Sequence, residues 1–419
     1  MPTLTIHSLS YCQEQEVARA VAAALSLKVL EDRRIIAEAA STYGLSENKF
    51  YRALFGKPSV FNTFTRERER CVSCYKAVVA RHLLEDDLLL LGLAGSLVPK
   101  TMTHVLKVCL TADEAFRLRT AAGSHHLEPR ALAKLIDQED EAQTRWTDYL
   151  AQRDHGRPSP CDILIPMDAT PFQDAADLIQ DRARRAVTLP TQESSLAAAD
   201  FALAARVEAA LAVKGHVLRA DVKLGRIELR VEKNVVRPER LEEELRAIVR
   251  DEAGDAPLEI SLGPDLYRTD VYRPFDFENP AKVLVVDDER DFAVTLSERL
   301  KMREMGAAVV TSGEQALRVV EEDEPEVILL DLKMPEIHGM DVLRMIRQGH
   351  PRVPVIILSG AGSEKDFQTC MSYGVFACLE KPVDFKELVE TIRRAYASLD
   401  SSRNTVQQHA TYSSTMPEK

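Results

Sequence analysis

The chain has 419 residues, 45% of them hydrophobic, and a formal net charge of −12. That length exceeds one ordinary core and calls for two to four domains. The acidic balance argues against a general nucleic-acid binder, which needs a basic face for phosphates.

Residues 1 to about 190 alternate apolar runs (Leu4–His7, Leu88–Leu91, Val105–Leu110, Asp162–Pro166) with helical patterns. Such alternation predicts a parallel α/β sheet with flanking helices. The first run opens the stretch TIHSLSYCQEQEVARAVAAAL, which reads as strand, loop and amphipathic helix. A loop of that layout cradles phosphate when glycines let its N–H groups turn inward and a lysine adds charge. Here no glycine occurs before Gly44, and the loop offers Tyr11, Cys12, Gln13, Glu14 and Gln15. The side chains fill the cradle, and Glu14 repels an anion.

Residues 191–195 (TQESS) read as a polar link. Residues 196–264 then predict a compact α-β-β-α-β unit, with helices at Ala198–Ala212 and Pro238–Asp251 and strands at Val217–Leu224, Arg226–Val231 and Leu258–Leu262. Residues 265–280, bounded by Pro264 and Pro280, read as an extended linker.

Residues 281–399 carry five β-α steps, with strands at 282–287, 307–311, 326–331, 353–359 and 377–381. They predict a doubly wound flavodoxin-like sheet whose ligand site lies at the carboxyl ends of its strands. Asp287 and Asp288 end the first strand, Asp331 the third, Ser359 the fourth and Lys381 the fifth. Three carboxylates at one rim call for a divalent cation, and hard oxygen ligands suit Mg²⁺. A lysine and a hydroxyl opposite them suit attack by Asp331 on a phosphoryl group. The polar tail from Asp400 reads as disordered.

Seven cysteines, at 12, 71, 74, 109, 161, 370 and 378, are odd in number and scattered. They do not look like a disulfide framework and fit a reducing compartment. Cys71 and Cys74 read as two partly buried thiols of a helix. Leu88–Val98 is too short to cross a bilayer, and the N-terminus has no basic region followed by an apolar run, so a cytoplasmic protein without membrane insertion is expected.

The motifs VLVVDDE (283–289), LLDLKMPEIHGMDVL (329–343), IILSG (356–360) and LEKP (379–382) resemble the receiver domain of bacterial response regulators. The resemblance implies that Asp331 accepts a phosphoryl group from a sensor histidine kinase. It implies that Asp288, Asp331 and the main-chain carbonyl of Lys333 hold Mg²⁺ with help from Asp287, and that Ser359 and Lys381 engage the phosphoryl oxygens. The family usually places Tyr or Phe three residues before the lysine as a rotating switch; this chain has Cys378 there, and Phe376 two residues earlier. Residues 1–190 resemble the cytidylate-kinase-like family through the opening strand-loop-helix, EDRRIIAEAASTYGLSENKF (31–50), DDLLLLGLAGSLV (86–98), HVLKVCLTADEAFRLR (104–119) and CDILIPMDATPFQDAADLI (161–179). Of the loop's usual polar residues only Glu16 remains, and Leu93 stands where that family has an arginine. Arg117 and Arg119 stand where the family has arginines, but as residues they read as a solvated helix face. His125 and His126 read as loop surface. Residues 198–262 resemble a BON domain by element order and by the hairpin centred on Gly225.

The expectation is therefore a response regulator phosphorylated on Asp331. Its output would be not direct DNA binding but protein or ligand interaction, or self-association, through an inactive kinase-like domain. A phosphorylation-regulated nucleoside monophosphate kinase and a phosphate sink stand as the alternatives.

Overall fold

The computed structural model describes residues 3–153, 161–185, 189–231, 238–262, 279–335, 337–360 and 364–413. The 265–280 linker call falls almost entirely outside them. The chain forms two compact units, Met1–Pro58 with Glu67–Pro274, and Ser59–Arg66 with Phe275–Lys419.

In the first unit a five-stranded parallel sheet runs through β1 (Thr3–Ser8), β2 (Lys28–Glu31), β3 (Leu88–Leu91), β4 (Val105–Thr111) and β5 (Ile163–Pro166), in the order β2-β3-β1-β4-β5. The helices are α1 (Glu14–Leu25), α2 (Asp32–Tyr43), α3 (Glu47–Phe55), α5 (Glu67–His82), α6 (Glu114–Ser124), α7 (Pro129–Arg153) and α8 (Phe172–Ala183), the short α4 (Asn62–Thr65) falling in the second unit. Four strands coincide with the apolar runs. Strand β2 has no such run, because a four-residue edge strand beside charged Glu31 and Asp32 carries no periodic signal. Burial explains the continuous Leu88–Leu91 run, whose four side chains are all buried.

The link read at 191–195 is instead the start of a helix. Thr191 accepts a hydrogen bond from the Ser194 N–H and caps α9 (Gln192–Val213). One face of α9, with Ala198, Ala202, Ala205 and Ala209, packs in the core around α5. The other face, with Ala204, Val207 and Leu211, packs with β6 (Ala220–Lys223), β7 (Arg226–Val231), α10 (Pro238–Ala253) and β8 (Leu258–Leu262). The α-β-β-α-β order therefore stands. The element is fused to the kinase-like part through a helix buried on both sides, which reads as apolar all round. In its sheet β6 and β7 are antiparallel and β7 and β8 parallel.

In the second unit β9 (Val283–Val286), β10 (Ala307–Val310), β11 (Val327–Asp331), β12 (Val355–Gly360) and β13 (Ala377–Lys381) form a parallel sheet of order β10-β9-β11-β12-β13. Flanking it are α11 (Arg290–Lys301), α12 (Gly313–Glu322), α13 (Gly339–Gly349), α14 (Glu364–Ser372) and α15 (Phe385–Ser413). Helix α15 runs to Ser413, with neither glycine nor proline to stop it, so the tail read from Asp400 begins within that helix, and its residues 414–419 lie outside the described residues. A second correction concerns the boundary, because Ser59–Arg66 joins this unit. Phe61, 0% exposed, packs into the core formed with α12 and α13, and Ser59 Oγ donates to Asp323 Oδ2 at 2.5 Å.

Candidate phosphoacceptor site

Strand register assembles the acidic rim. Val286 of β9 lies opposite Leu330 of β11, so Asp287 and Asp331 leave neighbouring strands at the same level. Asp331 pairs with Leu358, which places Ser359 one residue beyond it, and Gly360 pairs with Lys381. One carboxylate oxygen each from Asp287, Asp288 and Asp331 lie within 4.8 Å of one another. Asp287 is 0% exposed and Asp331 4%, whereas Asp288 faces solvent.

Lys381 is the cation of the site. Its Nζ donates to Asp287 Oδ2 at 2.7 Å and to Asp331 Oδ2 at 3.1 Å, and stands 4.0 Å from Glu289. It also lies 4.7 Å from the centre of the Phe292 ring. Burial opposes its charge, but the bonds to Asp287 and Asp331 outweigh this and raise its pKa. For Asp287 burial prevails: its pKa is raised despite Lys381 and the N–H of Glu289. The N–H of Lys333 donates to Asp331 Oδ1 at 3.2 Å, which fixes the carboxylate's orientation. Gly339 allows the chain to pass this close, since a Cβ there would sit 2.3 Å from the carbonyl oxygen of Asp331. Sequence reasoning missed that glycine, although it stands in the LLDLKMPEIHGM motif. Cys378 is half-buried beside Cys370, and burial raises its pKa to about 11.

The loop after β1 takes the strand-loop-helix shape without glycine, with Tyr11 and Gln13 at φ 64° and 58°. Glu14 turns back and accepts the N–H of Cys12 at 3.1 Å, a donor of the kind that a phosphate oxygen would take in a working cradle. Arg117 is not a solvated helix residue. It is 6% exposed, donates to both oxygens of Asp140 at 2.8 and 2.6 Å, and bonds the carbonyl of Ser10. Arg119 is exposed. The Tyr11 hydroxyl meets His125 Nε2 at 3.1 Å and donates to Glu139, so His125 is a loop anchor, while His126 is exposed.

Asp32 escaped the sequence reading. Half-buried at the start of α2, it accepts from the Tyr75 hydroxyl and the N–H groups of Leu93 and Ala94. Gly92, at φ 117°, leaves room for it, because a Cβ there would lie 2.3 Å from its Oδ2.

Among the cysteines, Cys109 and Cys161 are disulfide-bonded, with Cα atoms 5.7 Å apart, in a set that by sequence does not look like a disulfide framework. Pairing of β5 with β4 brings the segment before β5 alongside β4. Cys71 and Cys74 are buried free thiols, pushed up to about 12 by burial. Among the described residues no helix is long and apolar enough to cross a membrane.

Residues 283–393 match the response regulator receiver domain, and residues 3–169 match the cytidylate kinase-like family. The transcriptional regulatory protein CpxR of Klebsiella pneumoniae is 39% identical over 130 residues, 31% of this chain and 54% of that protein. GlrR of Escherichia coli is 35% identical over 113 residues, 27% of this chain and 26% of its own length. The chain thus spans about half the length or less of these curated relatives. The receiver domain of Francisella response regulator 1452 aligns at 29% identity and TM-score 0.27, covering 28% of this chain and 98% of its own. The N-terminal part is similar to the cytidylate kinase-like family by its family match, and register, acidic rim and family match agree that the C-terminal part of the chain is a response-regulator receiver domain.

Proposed function

We propose that the chain is a two-component response regulator that is phosphorylated on Asp331. The observation that carries this reading is the convergence of three carboxylates with a lysine bridging two of them at the carboxyl edge of the receiver sheet. Asp331 supplies the attacking oxygen, oriented by the N–H of Lys333. Lys381, already bonded to that carboxylate, has only to shift its contact to a phosphoryl oxygen. Ser359 offers a further donor from the next strand. Asp287, Asp288, Asp331 and the Lys333 carbonyl would hold Mg²⁺, whose charge would offset that of the transferring group. A sensor histidine kinase in the cytoplasm is the natural donor.

The output proceeds through a kinase-like domain that no longer transfers phosphate itself. Glu14 and Asp140 hold internally the donor and the cation that a nucleotide phosphate would use. The fused α-β-β-α-β element, with its BON-like order, extends the surface for a protein partner or for self-association, and the output is not direct DNA binding.

The test is incubation of the full chain with acetyl phosphate and Mg²⁺, followed by intact-mass measurement. One phosphoryl adduct is expected in the wild type and none in Asp331→Asn. An unmodified wild type would overturn the receiver reading. Turnover of CMP or dCMP with ATP would replace the inactive-domain reading by that of a regulated nucleoside monophosphate kinase.

A further inference from the structure

A cavity of about 560 Å³ lies inside the first unit, where α5, the loop after Leu97 and the end of α7 meet α9 and β6. Its size is that of a small-molecule site. Loop residues 9–14 do not contribute to its lining, so it is separate from the degenerate phosphate loop.

Its wall is built around a buried charge. Glu208 of α9 is 1% exposed, and its Oε2 accepts from Lys76 Nζ at 2.9 Å and from the Arg153 guanidinium at 2.7 Å. Its Oε1 takes the N–H of Ala220 at the start of β6. These bonds fix Lys76 and Arg153 against the wall with little freedom left to lose on binding. Lys76 also stands 5.2 Å from the centre of the Phe201 ring, a flat apolar face that lines the same space. Lys100 and Lys223, both exposed, line it from two different elements, the loop after Leu97 and β6. Asp200 accepts the N–H groups of Leu224 and Gly225, at 2.7 and 2.8 Å, and so pins the hairpin that carries Lys223. Among the described residues that line the cavity, cations outnumber acids, in a chain whose net charge is −12. A concave wall with this local excess concentrates anions against the field of the whole protein.

We propose that this cavity binds a small aromatic anion, its ring against Phe201 and its charge among Lys76, Lys100 and Lys223. The inference does not rest on phosphorylation of Asp331, and binding is measured on the unphosphorylated full chain. The test is calorimetric titration with phenyl phosphate, with benzyl alcohol and inorganic phosphate as partial mimics. Phenyl phosphate is expected to bind at one site more tightly than either mimic. In the double variant Lys100→Glu, Lys223→Glu, both at exposed positions that leave the fold intact, affinity should fall by about tenfold or more and lose much of its salt dependence. Phe201→Leu should weaken phenyl phosphate but leave inorganic phosphate unchanged. Absence of saturable binding at millimolar probe would overturn the proposal. So would binding that both variants leave unaltered, since the anion would then sit elsewhere.

Discussion

Asp287 shows how the receiver site trades stability for chemistry. Burial raises its pKa, so the fold prefers the protonated form. The stability this group contributes is complete below the ordinary carboxylate range and is lost as pH rises through the raised folded value. Ionisation of Asp287 in the folded state therefore works against its burial. Asp287→Asn is expected to raise the stability of the receiver unit at pH 7 by about 1 kcal/mol, because Lys381 retains Asp331 as its partner. The gain should shrink as pH falls towards 4 (about the ordinary carboxylate value). Urea denaturation at both pH values measures it, and a destabilised variant at pH 7 would show that the Lys381 pair outweighs the burial. Burial raises the pKa of Asp32 too, but its carboxylate is the acceptor of a whole donor set. It leaves three donors, the Tyr75 hydroxyl and two backbone N–H groups, without a partner when removed. Asp32→Ala should cost the first unit about 2–4 kcal/mol, and a denaturation midpoint equal to that of the wild type would mean that those donors find other acceptors.

The elements divide sharply by how much of themselves the sequence reveals. The five receiver strands are legible as short apolar runs, and four of them end in a residue of distinctive chemistry, so strand ends and site residues are found together. The kinase-like strands were legible except β2, whose four residues hold no period. Helix α9 was placed, but its role was not: an alanine-rich helix gives no amphipathic stripe when both faces are buried, and only the packing shows that it belongs to two cores. Arg117 was misread for a related reason. Its partner Asp140 lies 23 residues away on α7, and no local spacing announces such a pair. The double burial of α9 makes a direct prediction. Ala205 is 0% exposed against α5, and Ala205→Glu would bury an unpaired carboxylate there. The α-β-β-α-β element and the kinase-like part should then lose their common unfolding transition, and limited proteolysis should cut near α9. Resistance equal to that of the wild type would argue that the two parts are held together elsewhere.

At the scale of the whole chain, the two compact units do not follow the order of the sequence. Ser59–Arg66 arises between α3 and α5, whose helices belong to the first unit, yet it counts structurally with the receiver. Phe61 contributes a fully buried ring to the receiver core, and Ser59 bonds Asp323, which also pairs with Lys282 at 2.7 Å. A receiver excised as residues 279–419 therefore lacks part of its own core. It should be less stable than the same unit within the full chain. Phe61→Ala in the full chain should reproduce most of that deficit, about 3–5 kcal/mol for loss of a buried phenylalanine. Chemical denaturation followed by a probe specific to the receiver, such as the fluorescence of a label at exposed Met302, gives both numbers. An excised receiver as stable as the intact one, together with a neutral Phe61→Ala, would show that the inserted segment rests on the receiver without supporting it. A matched loss in the two would show that the receiver's fold depends on a segment encoded more than two hundred residues before its first strand.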